Sequence, residues 1–271
     1  DAFNGIELWK RPTMLWSNWQ TESIKSIPTQ QQRSLAAVGK RVYCCMEYGG
    51  PITAFNYRTG TRTRVYRNTE ETAEFAIEGR VLYGIKGDPY KVGKENSPGG
   101  SVELYAIELP SGAEVWSQVI STEYFGGTLA VKGNRLVYQS QSGLTCLDAI
   151  SGKKLWTEAV QEEQRSGVPS LFDGNTHPTI VLTDDAVFCG IGESIIAKSL
   201  SNGTTLWTAV GATNYMKSPD LFVADGLVWS GDLKGRDPKT GEVVRSLTQE
   251  MNGPMSHDRC YRNRITHRYY L

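Results

Sequence analysis

Leu144-Thr145-Cys146-Leu147-Asp148-Ala149-Ile150-Ser151-Gly152-Lys153-Lys154-Leu155-Trp156 decides the fold of this chain. It reads as an apolar strand, a tight turn on a glycine, and a second strand bearing a tryptophan. The phrase returns as Pro110-Ser111-Gly112-Ala113-Glu114-Val115-Trp116 and as Leu200-Ser201-Asn202-Gly203-Thr204-Thr205-Leu206-Trp207. The chain opens on another copy, Asp1-Ala2-Phe3-Asn4-Gly5-Ile6-Glu7-Leu8-Trp9. Two weaker copies, Tyr57-Arg58-Thr59-Gly60 and Asp237-Pro238-Lys239-Thr240-Gly241, keep the glycine and lose the tryptophan. Asp, Asn or Ser before the glycine supplies turn chemistry, because glycine accepts positive φ at no steric cost. The turn glycines Gly5, Gly60, Gly112, Gly152, Gly203 and Gly241 recur every 40–50 residues or so, roughly the period of a repeat architecture.

A second hairpin signal lies upstream of each turn. It runs through Ala37–Tyr43, Ala76–Tyr83, Ala130–Tyr138, Val181–Phe188 and Phe222–Trp229, each with a Gly or Asp turn at its centre. Two hairpins per repeat make a four-stranded antiparallel sheet, and such sheets repeated radially are propeller blades. The fold class is therefore all-β, a β-propeller. Five whole blades are expected at residues 34–66, 74–116, 127–156, 179–207 and 220–247. Residues 258–271 read as one more hairpin that joins residues 1–9 in a composite blade, for about six in all. The alternative is an open fragment of a seven- or eight-bladed parent. Residues 1–271 are read as a single propeller domain, a piece of a longer protein with further domains. Trp9, Trp116, Trp156 and Trp207 are expected to fill the wedges between blades, each ring removing roughly 150–250 Å² from water.

Composition narrows the function. Lys plus Arg number 29 and Asp plus Glu number 29, giving a formal net charge of zero. That balance argues against nucleic acid or an anionic membrane surface as the partner. No apolar run approaches the roughly 18 residues of a membrane helix. Of the five cysteines, Cys44, Cys45, Cys146 and Cys189 fall in apparent strands and read as small buried hydrophobes, while Cys260 lies near the end. No C-x-x-C spacing supports zinc or thioredoxin-type chemistry.

The stretch from Leu144 to Trp156 resembles the PQQ-like (pyrroloquinoline-quinone-like) propeller repeat, and the weaker copies extend the resemblance over nearly the whole chain. Met255-Ser256-His257-Asp258-Arg259-Cys260-Tyr261-Arg262-Asn263 is similar to planctomycete-type bacterial PQQ-binding-like propellers. The family spans quinoprotein dehydrogenases and an outer-membrane assembly lipoprotein that binds no quinone, so the resemblance specifies fold and leaves function open. It implies a bacterial, periplasmic or extracytoplasmic location. In the dehydrogenases the quinone stacks between a tryptophan and a disulfide of adjacent cysteines, beside a calcium ion. The adjacent pair here is Cys44-Cys45. Its setting, Arg41-Val42-Tyr43-Cys44-Cys45-Met46-Glu47, reads as a strand, where neighbouring side chains point to opposite faces. No cofactor or metal is therefore expected, PQQ with calcium being the alternative.

One polar cluster stands out. His257 to Arg268 holds four arginines and two histidines. Gly253 and Pro254 can set a turn before it, and a loop entering an inner strand sits at the mouth of a propeller's central channel. His257, Arg259 and Tyr261 are the candidate ligand-binding residues: Arg pairs bidentately with carboxylate or sulfate, and His is acid or base near neutral pH. A polar channel wall is the plainer reading of the same residues. His177 reads as a loop residue. No catalytic set assembles from named residues, which favours a non-catalytic binding or scaffold propeller that holds a protein, a carbohydrate or another anionic ligand. The alternative is a propeller enzyme, either a PQQ-dependent dehydrogenase or a polysaccharide lyase-like enzyme acting on acidic sugars.

Overall fold

Each repeat folds as a meander, because short connections join most of its runs of β-branched and aromatic residues to the adjacent strand; the second sheet is the exception, with residues 87–101 between its second and third strands. The computed structural model describes residues 6–12, 35–47, 49–87, 102–120, 124–140, 142–160, 179–192, 194–211, 219–231 and 233–247. Two compact units emerge, residues 1–129 and 130–271. The first holds one sheet of β1 (Leu35–Val38), β2 (Arg41–Cys45), β3 (Ile52–Asn56) and β4 (Arg62–Tyr66). It holds a second of β5 (Thr72–Glu78), β6 (Val81–Lys86), β7 (Val102–Glu108) and β8 (Glu114–Ile120).

The second unit holds three sheets. They are β9 (Ala130–Lys132), β10 (Arg135–Ser140), β11 (Gly143–Asp148) and β12 (Lys154–Glu158); β13 (Thr179–Leu182), β14 (Ala186–Ile191), β15 (Ser194–Ser199) and β16 (Thr205–Val210); and β17 (Leu221–Ala224), β18 (Leu227–Ser230), β19 (Lys234–Arg236) and β20 (Val243–Ser246). All five sheets are four-stranded, antiparallel and in chain order, as the repeat requires. The composite blade rests on residues 1–5 and 258–271, which lie outside the described residues. Residues 6–12 carry no strand.

Each pairing of a third with a fourth strand is bulged at one place, the extra residue lying on the fourth strand. The register shifts between Ala54 and Phe55, Ala106 and Ile107, Cys146 and Leu147, Ala197 and Lys198, and Gly235 and Arg236. The turn joining the two strands closes with one repeated pair of bonds. In the third sheet Gly152 N–H donates to the Asp148 carbonyl at 2.8 Å and Asp148 N–H donates to the Lys153 carbonyl at 2.8 Å. The Asp148 carboxylate also accepts from Ser151 N–H at 2.8 Å and Ser151 Oγ at 2.7 Å, and these bonds hold its pKa below the ordinary value.

Cores form where sheets face each other within a unit. Tyr43, Ile52 and Tyr66 of the first sheet meet Phe75, Leu82 and Tyr105 of the second. Val137, Leu144 and Trp156 meet Ile180, Val187 and Cys189. Phe188, Ile195 and Trp207 meet Leu221 and Val228.

The tryptophans reach across these junctions to the turn glycine of the following sheet. The Trp156 ring lies where a Cβ on Gly203 would fall, 2.8 Å from the nearest ring atom, and its Nε1–H donates to the Leu200 carbonyl at 3.1 Å. Trp207 does the same at Gly241, donating to Pro238 at 3.0 Å, and Trp9 at Gly60, donating to Tyr57 at 2.8 Å. Each acceptor lies three residues before its glycine. Trp116 is half-buried with its ring 6.1 Å from that of Tyr83. Of the two repeats without the tryptophan, the one at Gly60 uses Arg64 in its place. The Arg64 guanidinium sits 3.1 Å from the Cβ position of Gly112 and donates to the Pro110 and Ser111 carbonyls. Tyr66 Oη takes over the indole's acceptor, donating to the Leu109 carbonyl at 2.8 Å.

Gly203 therefore meets two demands, a φ of +77° and room for a ring, whereas Gly79 has φ +58° with nothing within 4 Å of its Cβ position. Gly79→Ala is expected to cost about 1–2 kcal/mol, the strain of a left-handed alanine. Gly203→Ala should cost distinctly more in urea unfolding, and Trp156→Ala about 3–5 kcal/mol. Equal costs at Gly203 and Gly79 would show that the ring contact contributes nothing.

Candidate functional site

His257, Arg259 and Tyr261, read from the sequence as the ligand site, lie outside the described residues, as do His177 and Cys260. Among the described residues, a concavity with a charged side chain in its wall forms where the third and fourth sheets face each other. Strand alternation creates it. Val187 pairs with Lys198 and Cys189 with Ile196, so all four side chains share one face of the fourth sheet. Val187 and Cys189 belong to the core shared with the third sheet, and Ser194, Ile196 and Lys198 continue that face outward. Past the packed part the two sheets leave a cavity of about 540 Å³, lined by these three residues together with Val160, Thr205 and Thr208 among others.

The lysine is its most unusual wall. Lys198 is 5% exposed, and its Nζ donates to the Gly203 carbonyl at 3.3 Å and to Thr205 Oγ1 at 3.2 Å. Both acceptors are neutral. Arg236, at the equivalent register shift of the next sheet, is 9% exposed and bonds the Gly241 carbonyl at 3.0 Å and the Val210 carbonyl at 3.3 Å. It thereby ties the fourth sheet to the fifth. Sequence reading missed both cations. The signal was available: the five third-strand positions at the register shift read Phe55, Ile107, Leu147, Lys198 and Arg236, so a core position turns cationic in two repeats.

The cysteines do not gather into a site. Cys44 and Cys45 are free thiols on the regular strand β2. Cys45 lies in the core with Tyr43 and Ile52, while Cys44 points to the opposite face with its Sγ 3.5 Å from Met46 Sδ. That arrangement does not fit the stacked vicinal disulfide of the dehydrogenases. Burial pushes the Cys45 and Cys189 thiols up to about 12 and Cys146 to about 11. The Cys189 thiol donates to Gln139 Oε1 at 3.1 Å. Among the described residues no group of three or more His, Cys, Asp or Glu side chains is arranged to hold a metal ion. Among them, too, no helix is long and apolar enough to cross a membrane.

A family model described as outer membrane protein assembly factor BamB, one of the PQQ-type repeat models, matches residues 99–263. No curated protein sequence matches the chain. Among solved structures, BamB from Moraxella catarrhalis is similar with a TM-score of 0.55 and 19% identity, over 82% of this chain and 67% of BamB. The computationally designed protein Ika8 gives 0.55 and 16%, over 79% of this chain and 60% of its own. The quinohemoprotein alcohol dehydrogenase ADHIIG from Pseudomonas putida HK5 gives 0.51 and 15%, over 78% and 41%. At these identities the likeness is one of fold, and the chain spans only part of each relative's length.

The thiols make a test of the core. In a Cys260→Ser protein at pH 8, an aromatic disulfide reagent should leave Cys45, Cys146 and Cys189 unmodified until denaturant is added. Their folded pKa values are raised, so the stability they contribute is fully present below the ordinary thiol value of 9.0 and is lost as pH climbs towards 12. Alkaline urea titrations should show that decline. Rapid modification of Cys45 in the folded protein would contradict the packing.

Proposed function

We propose, for a chain that belongs to the PQQ-like propeller family described as outer membrane protein assembly factor BamB, a role as a non-catalytic scaffold that holds a protein partner. The single observation that carries this reading is the family match over residues 99–263, whose description names an assembly factor. Folds host unrelated chemistries, so the dehydrogenase likeness adds fold and no reaction. The family also supports a periplasmic or extracytoplasmic setting. In this reading the tryptophans act as docking residues that keep the blades rigid, and a rigid array presents loops at fixed spacing.

The contact site we assign to the segment carrying His257, Arg259 and Tyr261. Arg259 pairs with an anionic group on the partner, His257 hydrogen-bonds beside it, and Tyr261 supplies an amphipathic ring. Outer strands are the contrasting surface. β20 exposes all four of its residues, and Leu155 of β12 is 44% exposed.

A photo-crosslinking amino acid placed at position 261 should capture a discrete protein partner in the native host, and the same residue at position 155 should not. Arg259→Ala should weaken that capture by about tenfold or more, as loss of a charge-assisted contact does. Crosslinks from position 155 alone would move the site to the outer edge. Stoichiometric PQQ retained after reconstitution with calcium and dialysis would replace the scaffold reading with a dehydrogenase, and turnover of a uronate polysaccharide would replace it with a lyase.

A further inference from the structure

We infer that the cavity between the third and fourth sheets is a binding site for a small organic monocarboxylate, with the Lys198 ammonium as its anchor. This site is separate from the residues assigned to the protein partner and stands or falls apart from them.

Three observations converge on it. The first is that the fold does not ask for a cation there. The third-strand residue at the register shift is Phe55, Ile107 and Leu147 in the first three sheets, and all three are buried. An apolar side chain thus satisfies this position wherever the position has only packing to do. The second is that Lys198 lacks a counter-charge. A buried ammonium is costly unless it is paired with an anion and its protons are satisfied. The ion pairs among the described residues are Arg80–Glu108, Lys86–Glu103 and Lys132–Asp184, and none involves Lys198. Glu158 approaches the same turn. Its stem lies against Gly203, but the residue is exposed and makes no ion pair with Lys198. An ammonium has three donors, and the Gly203 carbonyl and Thr205 hydroxyl occupy two. Arg236 likewise bonds the carbonyl of its turn glycine, but its second terminal nitrogen reaches across to the Val210 carbonyl of the neighbouring sheet, a cross-sheet bond that Lys198 does not make.

The third observation is the cavity itself. At about 540 Å³ it is within the range of small-molecule sites. Its wall pairs Ile196 and Val160 with the hydroxyls of Ser194, Thr205 and Thr208 beside the single ammonium. One positive charge neutralises a monoanion; a phosphate or sulfate dianion would leave buried charge uncompensated. The apolar wall suits a ring or short chain behind the carboxylate. A carboxylate oxygen accepts the third ammonium proton, the hydroxyls donate to its remaining lone pairs, and the body packs on Ile196 and Val160.

The test uses benzoate as the probe and benzyl alcohol as its uncharged counterpart, titrated into the full chain by calorimetry and by ligand-observed NMR saturation transfer. Benzoate should bind the wild-type protein saturably and benzyl alcohol more weakly. Lys198→Met should weaken benzoate at least about tenfold and leave benzyl alcohol unchanged, because it removes the charged contact alone. It should also melt no lower than wild type, since the position is apolar in three other repeats. Thr208→Phe, an exposed position on the cavity rim, fills the space with Lys198 intact and should abolish binding of both probes. It serves equally if the Met variant does not fold. The proposal is overturned by absence of saturable benzoate binding to wild type, by equal affinity in Lys198→Met, or by unchanged affinity in Thr208→Phe.

Discussion

A ring laid on a glycine organises this protein. A four-stranded meander buries neither of its faces alone, so each sheet is stable only against a neighbour. The indole of one sheet covers the turn glycine of the next and bonds the carbonyl three residues before it, which fixes both distance and register at the junction. Apolar packing between sheets is non-directional and would tolerate sliding. The indole N–H is directional, and the missing Cβ admits the ring at one place only. The turn must adopt positive φ in any case, so a single glycine serves the hairpin and the junction together.

Arg64 shows which part of that contact is indispensable. A guanidinium is planar, as an indole is, and carries N–H donors at its edge. It lies over Gly112, reaches two carbonyls of the turn, and sits above the Tyr66 ring at 5.4 Å. Tyr66 supplies the remaining bond to Leu109. What the junction requires is a flat group with edge donors over a bare backbone, and two side chains together meet that requirement as well as one tryptophan does.

The repeats also act as an internal reference for chemistry. Five equivalent positions beside the register shift differ in residue while the backbone pattern stays alike, so a departure is visible against the three apolar copies. Arg236 departs and bonds carbonyls of two sheets through its terminal nitrogens. Lys198 departs and faces open volume. Function in a repeat fold resides in such departures, because the shared positions are already accounted for by packing.

The repeat phrase, the hairpin signals and the turn glycines were legible in the chain, because β-turn chemistry and strand alternation are local. They predicted five four-stranded sheets close to where the strands lie, and a strand setting for Cys44 and Cys45 that sends the two thiols to opposite faces. The partner of each tryptophan was not legible. Trp156 and Gly203 are far apart in sequence, and nothing local says that a ring in one repeat rests on a turn in the next. Arg64 read as a lost tryptophan for the same reason. Lys198 looked like an ordinary strand lysine, since burial depends on what another sheet places opposite it. Sequence determined the repeating unit through short-range sterics and hydrogen bonding; only the packing of one unit on another decided which residues meet, which charge is buried, and where space is left beside it.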